Sequence, residues 1–354
     1  MNLELTDEQL ALRDTVRRYL AEKASVPTYV RPMLDDPTGN TDEVWAGLAA
    51  LGAIGVLVPQ EYGGSGMTMV EAGVAAEELG AALYPGPWLS SAVAATRALT
   101  RLAAGAGSLL RGIADGSTIA TIGPLSGARP VVDDGVLRGE ISALPDAAAA
   151  DVLLVLGEGG GTAGLFAVDA KADGVSLTQR THVDPTRKLF DVGFDGVDVQ
   201  RLASSSPDDV QALVDDVLIA GAADALGAAN TVMNLAVDYA KVRRQFDQPI
   251  GSFQAVQHLC VDMYETVELA RSGVLHALWA ADAAPPAERH LAAVRAKAFA
   301  GELATVADTA IQVFGGIGYT WEHDAHLYLK RLLGWSAFLG GSDRYLQEVG
   351  RALQ

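Results

Sequence analysis

The stretch Ser206-Pro207-Asp208-Asp209 begins the longest helical pattern of the sequence, which continues to Arg244. It offers a capping hydroxyl, a proline at the first helical position and two acids against the positive helix end. Further helical patterns follow over 253–281, 286–314 and, as a last pair, from about Trp321. Long helices joined by short connections predict an antiparallel helical bundle over 206–354.

A different pattern precedes this region, between residues 117 and 205. Short runs rich in β-branched residues predict strands there. The runs are 118–122, 131–132, 136–141, 152–156, 165–168 and 192–199. Asp133-Asp134-Gly135 separates two of them and is typical of a hairpin turn. We expect a small, mainly antiparallel β domain.

The first part of the chain, 1–116, is helical in pattern. Leu10, Leu12, Val16 and Leu20 recur at helix spacing. Thr6 and Gln9 form the pattern of a capping box, in which each side chain satisfies a free amide at the helix start. The fold class is therefore α+β and mainly α, with predicted domains 1–116, 117–205 and 206–354.

Composition excludes several classes of function. The 354 residues carry a formal charge of −18, which disfavours a surface for nucleic-acid phosphates. The single cysteine, Cys260, cannot form an intramolecular disulfide or a thiolate metal cage. The start, Met1 to Gln9, is acidic where a signal peptide is basic and then apolar. We expect a cytoplasmic protein that spans no membrane.

Two short motifs have plain structural interpretations. Gly159, Gly161 and Gly164 match a dinucleotide-binding glycine pattern, but a strand follows where that pattern needs a helix, so we predict a hairpin loop. His323 and His326 could share one helix face, but no further ligand accompanies them. We therefore predict a surface or interface helix and no metal site.

Several longer stretches, in this order and spacing, resemble the acyl-CoA dehydrogenase family over nearly the whole chain. They are Leu5-Thr6-Asp7-Glu8-Gln9, Val58-Pro59-Gln60-Glu61-Tyr62-Gly63-Gly64, Glu77-Glu78-Leu79-Gly80, Arg243-Arg244-Gln245-Phe246, Pro249-Ile250-Gly251-Ser252-Phe253-Gln254, Ile311-Gln312-Val313-Phe314-Gly315-Gly316-Ile317-Gly318 and Trp321-Glu322-His323-Asp324. The family's fold, a helical domain, a β domain and a four-helix bundle, agrees with the periodicity.

The resemblance implies FAD and an acyl-CoA thioester as ligands. In the family, a carboxylate removes an α-proton while the β-hydrogen leaves as hydride to the flavin. Residues matching those that contact the pyrophosphate and adenosine of a neighbouring subunit's FAD are Arg243, Gln245, Phe246, Gln312, Gly315 and Gly316. The other interpretation of Arg243 is a cation that caps a helix C-terminus. Asp247 stands where the family usually has glycine.

Other family features are missing. The two segments that hold the flavin ring are replaced by 122–127 and 143–146, which lack the family's hydroxyl and indole groups. The late turn that usually carries the base contains Leu339 instead of a glutamate. A minority of members place the base early in the first bundle helix, where Asp215 stands here, followed by Asp216. Adjacent acids near a helix start are more often solvated, so Asp215 is only a candidate catalytic residue.

We expect one subunit of a heterotetrameric (α2β2) acyl-CoA dehydrogenase, similar to the small subunits of actinobacterial enzymes that act on sterol side-chain thioesters. A partner subunit would carry the base, and an acceptor such as electron-transfer flavoprotein would take the electrons. Two alternatives stay open. The chain could be a self-sufficient homo-oligomer that uses Asp215, or a flavin-free interaction subunit.

Overall fold

The computed structural model describes residues 4–103, 106–160 and 162–353. Helices form the two ends of the chain. The N-terminal helices are α1 (Asp7–Lys23), α2 (Asp42–Ala50), α3 (Met69–Ala81), α4 (Thr96–Leu102) and α5 (Gly107–Asp115). The C-terminal helices are α6 (Pro207–Val242), α7 (Gln254–Ala283), α8 (Pro286–Gly301), α9 (Leu303–Phe314), α10 (Ala325–Ala337) and α11 (Ser342–Ala352). A π-helical segment, Leu89–Ala95, leads into α4.

Strands lie between the two helical parts. They are β1 (Ala120–Gly123), β2 (Val131–Asp133), β3 (Val136–Pro145), β4 (Val152–Gly159), β5 (Thr162–Asp169), β6 (Val175–Gln179), β7 (Leu189–Asp198) and β8 (Gln200–Ser204). The sheet order is β6-β7-β3-β2-β4-β5-β8, and β1 pairs with β4. Most pairings are antiparallel, but β1 and β2 run parallel to β4. A further short hairpin joins β9 (Arg244–Gln245) to β10 (Gln248–Pro249).

The predicted fold class, helices followed by a mainly antiparallel sheet and a helical bundle, is confirmed. The capping boxes of Thr6 with Gln9 and of Ser206 with Asp209 both form. Two details differ from the sequence-based expectation. The predicted helix over 286–314 is interrupted at Glu302, and strands β6 and β8 lie outside the runs predicted to be strands. The three domain boundaries stay predictions.

Two glycines allow α3 and α6 to pack backbone against backbone. A Cβ at Gly80 would lie 1.9 Å from the Asp224 carbonyl oxygen, and one at Gly227 would lie 1.8 Å from the Glu77 carbonyl oxygen. Real side chains cannot adopt such distances, so both positions require glycine. This close contact fixes the N-terminal helices against the bundle.

Gly227→Ala should therefore destabilise the protein, by about 1 to 3 kcal/mol, because the added methyl group forces α3 and α6 apart. Gly273→Ala is the matched control, since Gly273 also lies within a helix but a Cβ there meets nothing within 4 Å. The control should be neutral or stabilising by up to about 1 kcal/mol. Denaturant unfolding measures both. Equal stability of the two variants would contradict the close helix contact.

Candidate functional site

The C-terminal end of α6 presents a charged and an aromatic side chain. Arg243 is the first residue beyond the helix, where its N–H donates to the Tyr239 carbonyl. The β9–β10 hairpin follows, and its two turn residues, Phe246 and Asp247, have φ values of +52° and +63°. Asp tolerates this left-handed conformation better than most residues, which explains how it replaces the family's glycine. Phe246 is 85% exposed and makes an edge contact with Phe253.

A second group of candidate residues lies where α9 ends. Gln312 is exposed on the last turn of that helix. Gly315 follows with φ +66°, ψ −143°, a conformation that disfavours every other residue. A Cβ at Gly315 or Gly316 would meet nothing within 4 Å, so the glycine backbone faces open space. A ligand could approach this backbone closely.

One aromatic contact brings these two helix ends together. The rings of Tyr239 and Phe314 lie 5.1 Å apart, one turn before Arg243 and directly before Gly315. Within the described residues, Arg243 is exposed and its guanidinium makes no hydrogen bond or ion pair. The six predicted cofactor-binding residues therefore lie at or just beyond two helix ends that this contact joins, with an unpaired cation at one end and an open glycine backbone at the other.

Asp215 lies near the other end of α6, about 40 Å away along the helix. It is fully buried, so the expectation of a solvated acid is wrong. Its carboxylate accepts hydrogen bonds from His290 Nδ1 at 2.8 Å and Gln211 Nε2 at 3.0 Å, and Arg289 Nε lies 3.9 Å away. Asp216 is also fully buried and pairs with Arg101 at 2.7 Å. Asp215 thus joins α6 to α8 within the bundle, and Asp216 joins α6 to the N-terminal helix α4.

A cavity lies against a different face of α6. Val217, Ala220, Gly221 and Asp224 line it at helix spacing, and Asp215 does not. The segments 121–125 and 145–146, which overlap those expected to hold a flavin ring, form another part of the wall. The hydroxyl of Thr121 is already used, because it donates to the Pro145 carbonyl at 2.7 Å.

Paired charges form the polar end of this cavity. Arg331 donates to Asp224 at 3.0 Å and lies 3.2 Å from Asp184, and Arg187 donates to Asp224 at 2.7 Å. The pKa of Arg187 is raised: burial lowers it, and the charges of Asp224, Asp146 and Asp184 more than compensate. Arg187 and Arg331 thus share Asp224 as an acceptor, and these charged side chains offer no hydroxyl edge to a flavin.

The turn after α10 contains no carboxylate between Phe338 and Ser342. Leu339 occupies the position of the usual family base with φ +53°. Its carbonyl accepts from the Tyr345 hydroxyl at 2.8 Å and from Arg344 at 3.1 Å, which fixes the turn against α11. The side chain at the position of the usual base is therefore apolar, and its backbone carbonyl is already bonded.

Comparison with known proteins decides the family. The acyl-CoA dehydrogenase N-terminal domain matches residues 6–106, and the C-terminal domain matches residues 219–354. The acyl-CoA dehydrogenase IpdE2 of Mycolicibacterium smegmatis is 33% identical over 355 residues, which is 98% of each chain. The chain belongs to the acyl-CoA dehydrogenase family. The chain spans 48% of another curated relative to which it is 36% identical.

Two solved structures are similar over almost the whole chain. The ChsE4-ChsE5 complex from Mycobacterium tuberculosis matches with a TM-score of 0.90 and 26% identity, covering 100% of this chain and 99% of the other. The Tcur3481-Tcur3483 steroid acyl-CoA dehydrogenase, a G363A variant, matches with a TM-score of 0.88 and 28% identity over 98% of each chain. The acyl-CoA dehydrogenase fold is therefore established for this chain.

The two short motifs take no part in this site. Gly159 and Gly164 lie on β4 and β5, joined by a hairpin, while Gly161 is outside the described residues. His323 packs on Phe314 at 4.2 Å, and His326 packs on Trp321. Among the residues that the structure describes, no three His, Cys, Asp or Glu residues group as metal ligands, and no helix is long and apolar enough to cross a membrane.

Sequence reasoning missed the buried charges around the cavity. Asp146, Asp184 and Arg187 lie in strand ends and connections whose polar composition indicates exposed loops. Lys297 is fully buried in α8, donates to the Trp335 and Ser336 carbonyls, and has a pKa lowered to about 7 by burial. No local signal distinguishes such residues from solvated ones, because their partners are distant in sequence.

The contacts of His290 predict a pH dependence of stability. The hydrogen bond of its Nδ1 with Asp215 at 2.8 Å, helped by that of its Nε2 with Glu348 at 2.8 Å, raises the pKa of His290 from 6.5 to about 9. A raised folded-state pKa stabilises the protein fully below pH 6.5, and this contribution is lost as the pH rises through about 9. The thermal midpoint of the wild type should exceed that of His290→Gln at low pH and approach it above pH 9.

His258→Gln is the control, because His258 lies on the exposed face of α7. Its curve of thermal midpoint against pH should run parallel to that of the wild type. If the His290→Gln curve also ran parallel to the wild type, the imidazolium would not link α8 to α6 and α11.

Proposed function

We propose that the chain is a subunit of an FAD-dependent dehydrogenase that introduces an α,β double bond into an acyl-CoA thioester. In this proposal it contributes FAD contacts across an interface with a second subunit, which carries the catalytic base. The single observation that carries the proposal is the contrast between its two candidate ligand regions. Arg243 and the open glycine pair are free to receive a ligand, whereas the Thr121 hydroxyl and the Ala143 N–H at the ring-holding segments are bonded within the protein.

The residues at the two helix ends fit the phosphate part of FAD. Arg243 supplies the positive charge that a pyrophosphate requires, and charged hydrogen bonds of this kind are strong. Gly315 and Gly316 allow the backbone to approach closely, and Gln245 and Gln312 offer amide groups. Phe246, 85% exposed, provides an apolar surface for an adenine or a partner subunit. These six residues would hold the adenosine and pyrophosphate part of a cofactor that a second subunit shares.

The ring-holding segments do not fit the flavin. Ile122 is a buried apolar side chain where a polar group is expected, and Ala143 has its N–H bonded to Asp191 at 3.1 Å. Thr121 is committed to Pro145. We infer that the ring binds mainly to the partner subunit, and that this chain alone binds FAD weakly.

FAD supplies the hydride acceptor when it is bound. Removal of the α-proton requires a carboxylate within reach of the substrate. Leu339 cannot accept a proton, and Asp215 is engaged by His290 and Gln211 on a face of α6 that does not line the cavity. These contacts support a base that belongs to the partner subunit.

The relatives suggest the partner and the substrate class. One similar structure is the complex of two differently named chains, ChsE4 and ChsE5, and another is named as a steroid acyl-CoA dehydrogenase. On this basis we propose an α2β2 assembly acting on a lipid acyl-CoA, from a fatty acid or a steroid side chain. The cytoplasm and an acceptor such as electron-transfer flavoprotein belong to the same proposal, as do the domain limits 1–116, 117–205 and 206–354.

Expression of the chain alone and together with a second acyl-CoA dehydrogenase subunit from the same genome tests the proposal. The chain alone should lack the visible absorbance of oxidised flavin, and the co-purified complex should show it. A yellow homo-oligomer of the chain alone would establish the self-sufficient enzyme instead. A stable complex without flavin in either subunit would establish an interaction subunit.

Arg243→Ala should lower the FAD content of the assembled complex, because a charged contact to pyrophosphate contributes about 1.5 to 3 kcal/mol. Lys241→Ala is the matched control, since Lys241 lies in the last turn of the same helix and pairs with Asp238. The control should retain its flavin. If both variants lost flavin equally, or neither did, Arg243 would act only as a helix-end cation. Flavin absorbance per complex and gel filtration give the answer.

Asp215→Asn separates catalysis from structure. The amide keeps the shape of the side chain but removes the charge that pairs with His290, so stability should fall by about 1 to 3 kcal/mol. Turnover at full flavin occupancy and saturating acyl-CoA should remain within a few-fold of the wild type. Loss of a general base would instead reduce the rate by about 10² to 10⁴. That larger loss would identify this chain as the catalytic subunit.

A further inference from the structure

The cavity beside α6 has about the size of one six-membered ring. Its volume is about 130 Å³, and apolar side chains such as Val93, Ile122, Leu125, Val217 and Phe338 form most of its wall. A comparable apolar cavity of about 150 Å³ in another protein binds benzene. The cavity therefore has room for a small ring. Its apolar side chains do not determine whether the ligand carries a polar group.

The carboxyl group of Asp146 indicates which polar group the ligand carries. It is 3% exposed and lines the cavity. Ser90 donates its hydroxyl to Oδ2 of Asp146, and the Asp146 N–H donates to the Lys188 carbonyl at 2.8 Å. The other carboxyl oxygen, Oδ1, has no hydrogen-bond partner among the described residues. A buried acceptor without a donor is unfavourable, and a ligand hydroxyl would satisfy it.

The neighbouring charged groups disfavour an anionic ligand. Arg187 and Arg331 are both bonded to Asp224. The Lys188 ammonium donates to three backbone carbonyls. Each cation of the wall is thus already engaged by an acceptor of the protein. Burial raises the pKa of Asp146, and the Ser90 hydrogen bond and the nearby cations lower it by less, so the site also disfavours a further negative charge.

We propose that this cavity binds a small uncharged ring compound whose hydroxyl group donates to Asp146. The inference rests on the proposed function, because Ile122 and Asp146 belong to the segments that replace those expected to hold the flavin ring. It assigns to the cavity a ligand of a different class from FAD and from the CoA part of a thioester, both of which are anionic.

Phenol and benzene are suitable probes, because they differ only by the hydroxyl group. Calorimetric titration of the full chain should show phenol binding at least about tenfold more tightly than benzene. Asp146→Ala should reduce this preference to within about threefold while benzene still binds. Equal affinities of the two ligands in the wild type, or no binding of phenol, would overturn the proposal.

Val93→Phe tests whether the probes bind in this cavity. Val93 is a fully buried residue of the cavity wall, and a larger side chain there fills the cavity. It should abolish binding of both probes, whereas Val131→Phe, at a position 55% exposed, should leave them bound. Should Val93→Phe fail to fold, a wild-type crystal soaked in phenol gives the same answer. Phenol density in contact with Asp146 supports the site, and density only elsewhere refutes it.

Discussion

The buried guanidinium of Arg331 connects the three parts of the chain. From α10 it donates to the Tyr84 carbonyl beyond α3, to the Thr186 hydroxyl between β6 and β7, and to Asp224 on α6, all at 2.9 to 3.0 Å. Removing one partner of such a buried group leaves an unpaired charge, which is strongly destabilising. The positions of the helices and the sheet around the cavity therefore depend on this one side chain.

The same network determines what the cavity can accept. Arg331 is bonded within the protein, so it offers no free cation to a phosphate. The Thr186 hydroxyl is already its partner. Trp335 packs so closely that a Cβ at Gly221 would lie 2.4 Å from its ring, which fixes α10 against α6. The contacts that stabilise the bundle are thus the same ones that line the cavity.

Local features of the fold were predictable from the sequence, and distant pairings were not. Thr6 with Gln9 and Ser206 with Asp209 are three residues apart, so a capping box is visible in the sequence. His290 lies 75 residues from Asp215, and nothing near Asp215 indicates that it is buried rather than solvated. Strand β6 was missed because it is only five residues long and holds just two apolar residues, Val175 and Leu177. The glycine pair and Arg243 were found through family resemblance, since their neighbours in sequence do not reveal an open surface.

The exposed hairpin after α6 gives a physical reason to expect a second subunit. Phe246 is 85% exposed, Val242 is 72% exposed, and Tyr319 beyond α9 is 69% exposed. Isolated exposed apolar residues are ordinary, but these belong to the ends of two helices that meet through Tyr239 and Phe314. An unpaired arginine at the same place is costly to bury unless an anion accompanies it. A partner subunit that binds a pyrophosphate at this surface would cover the exposed apolar side chains. The pyrophosphate would at the same time neutralise the guanidinium of Arg243.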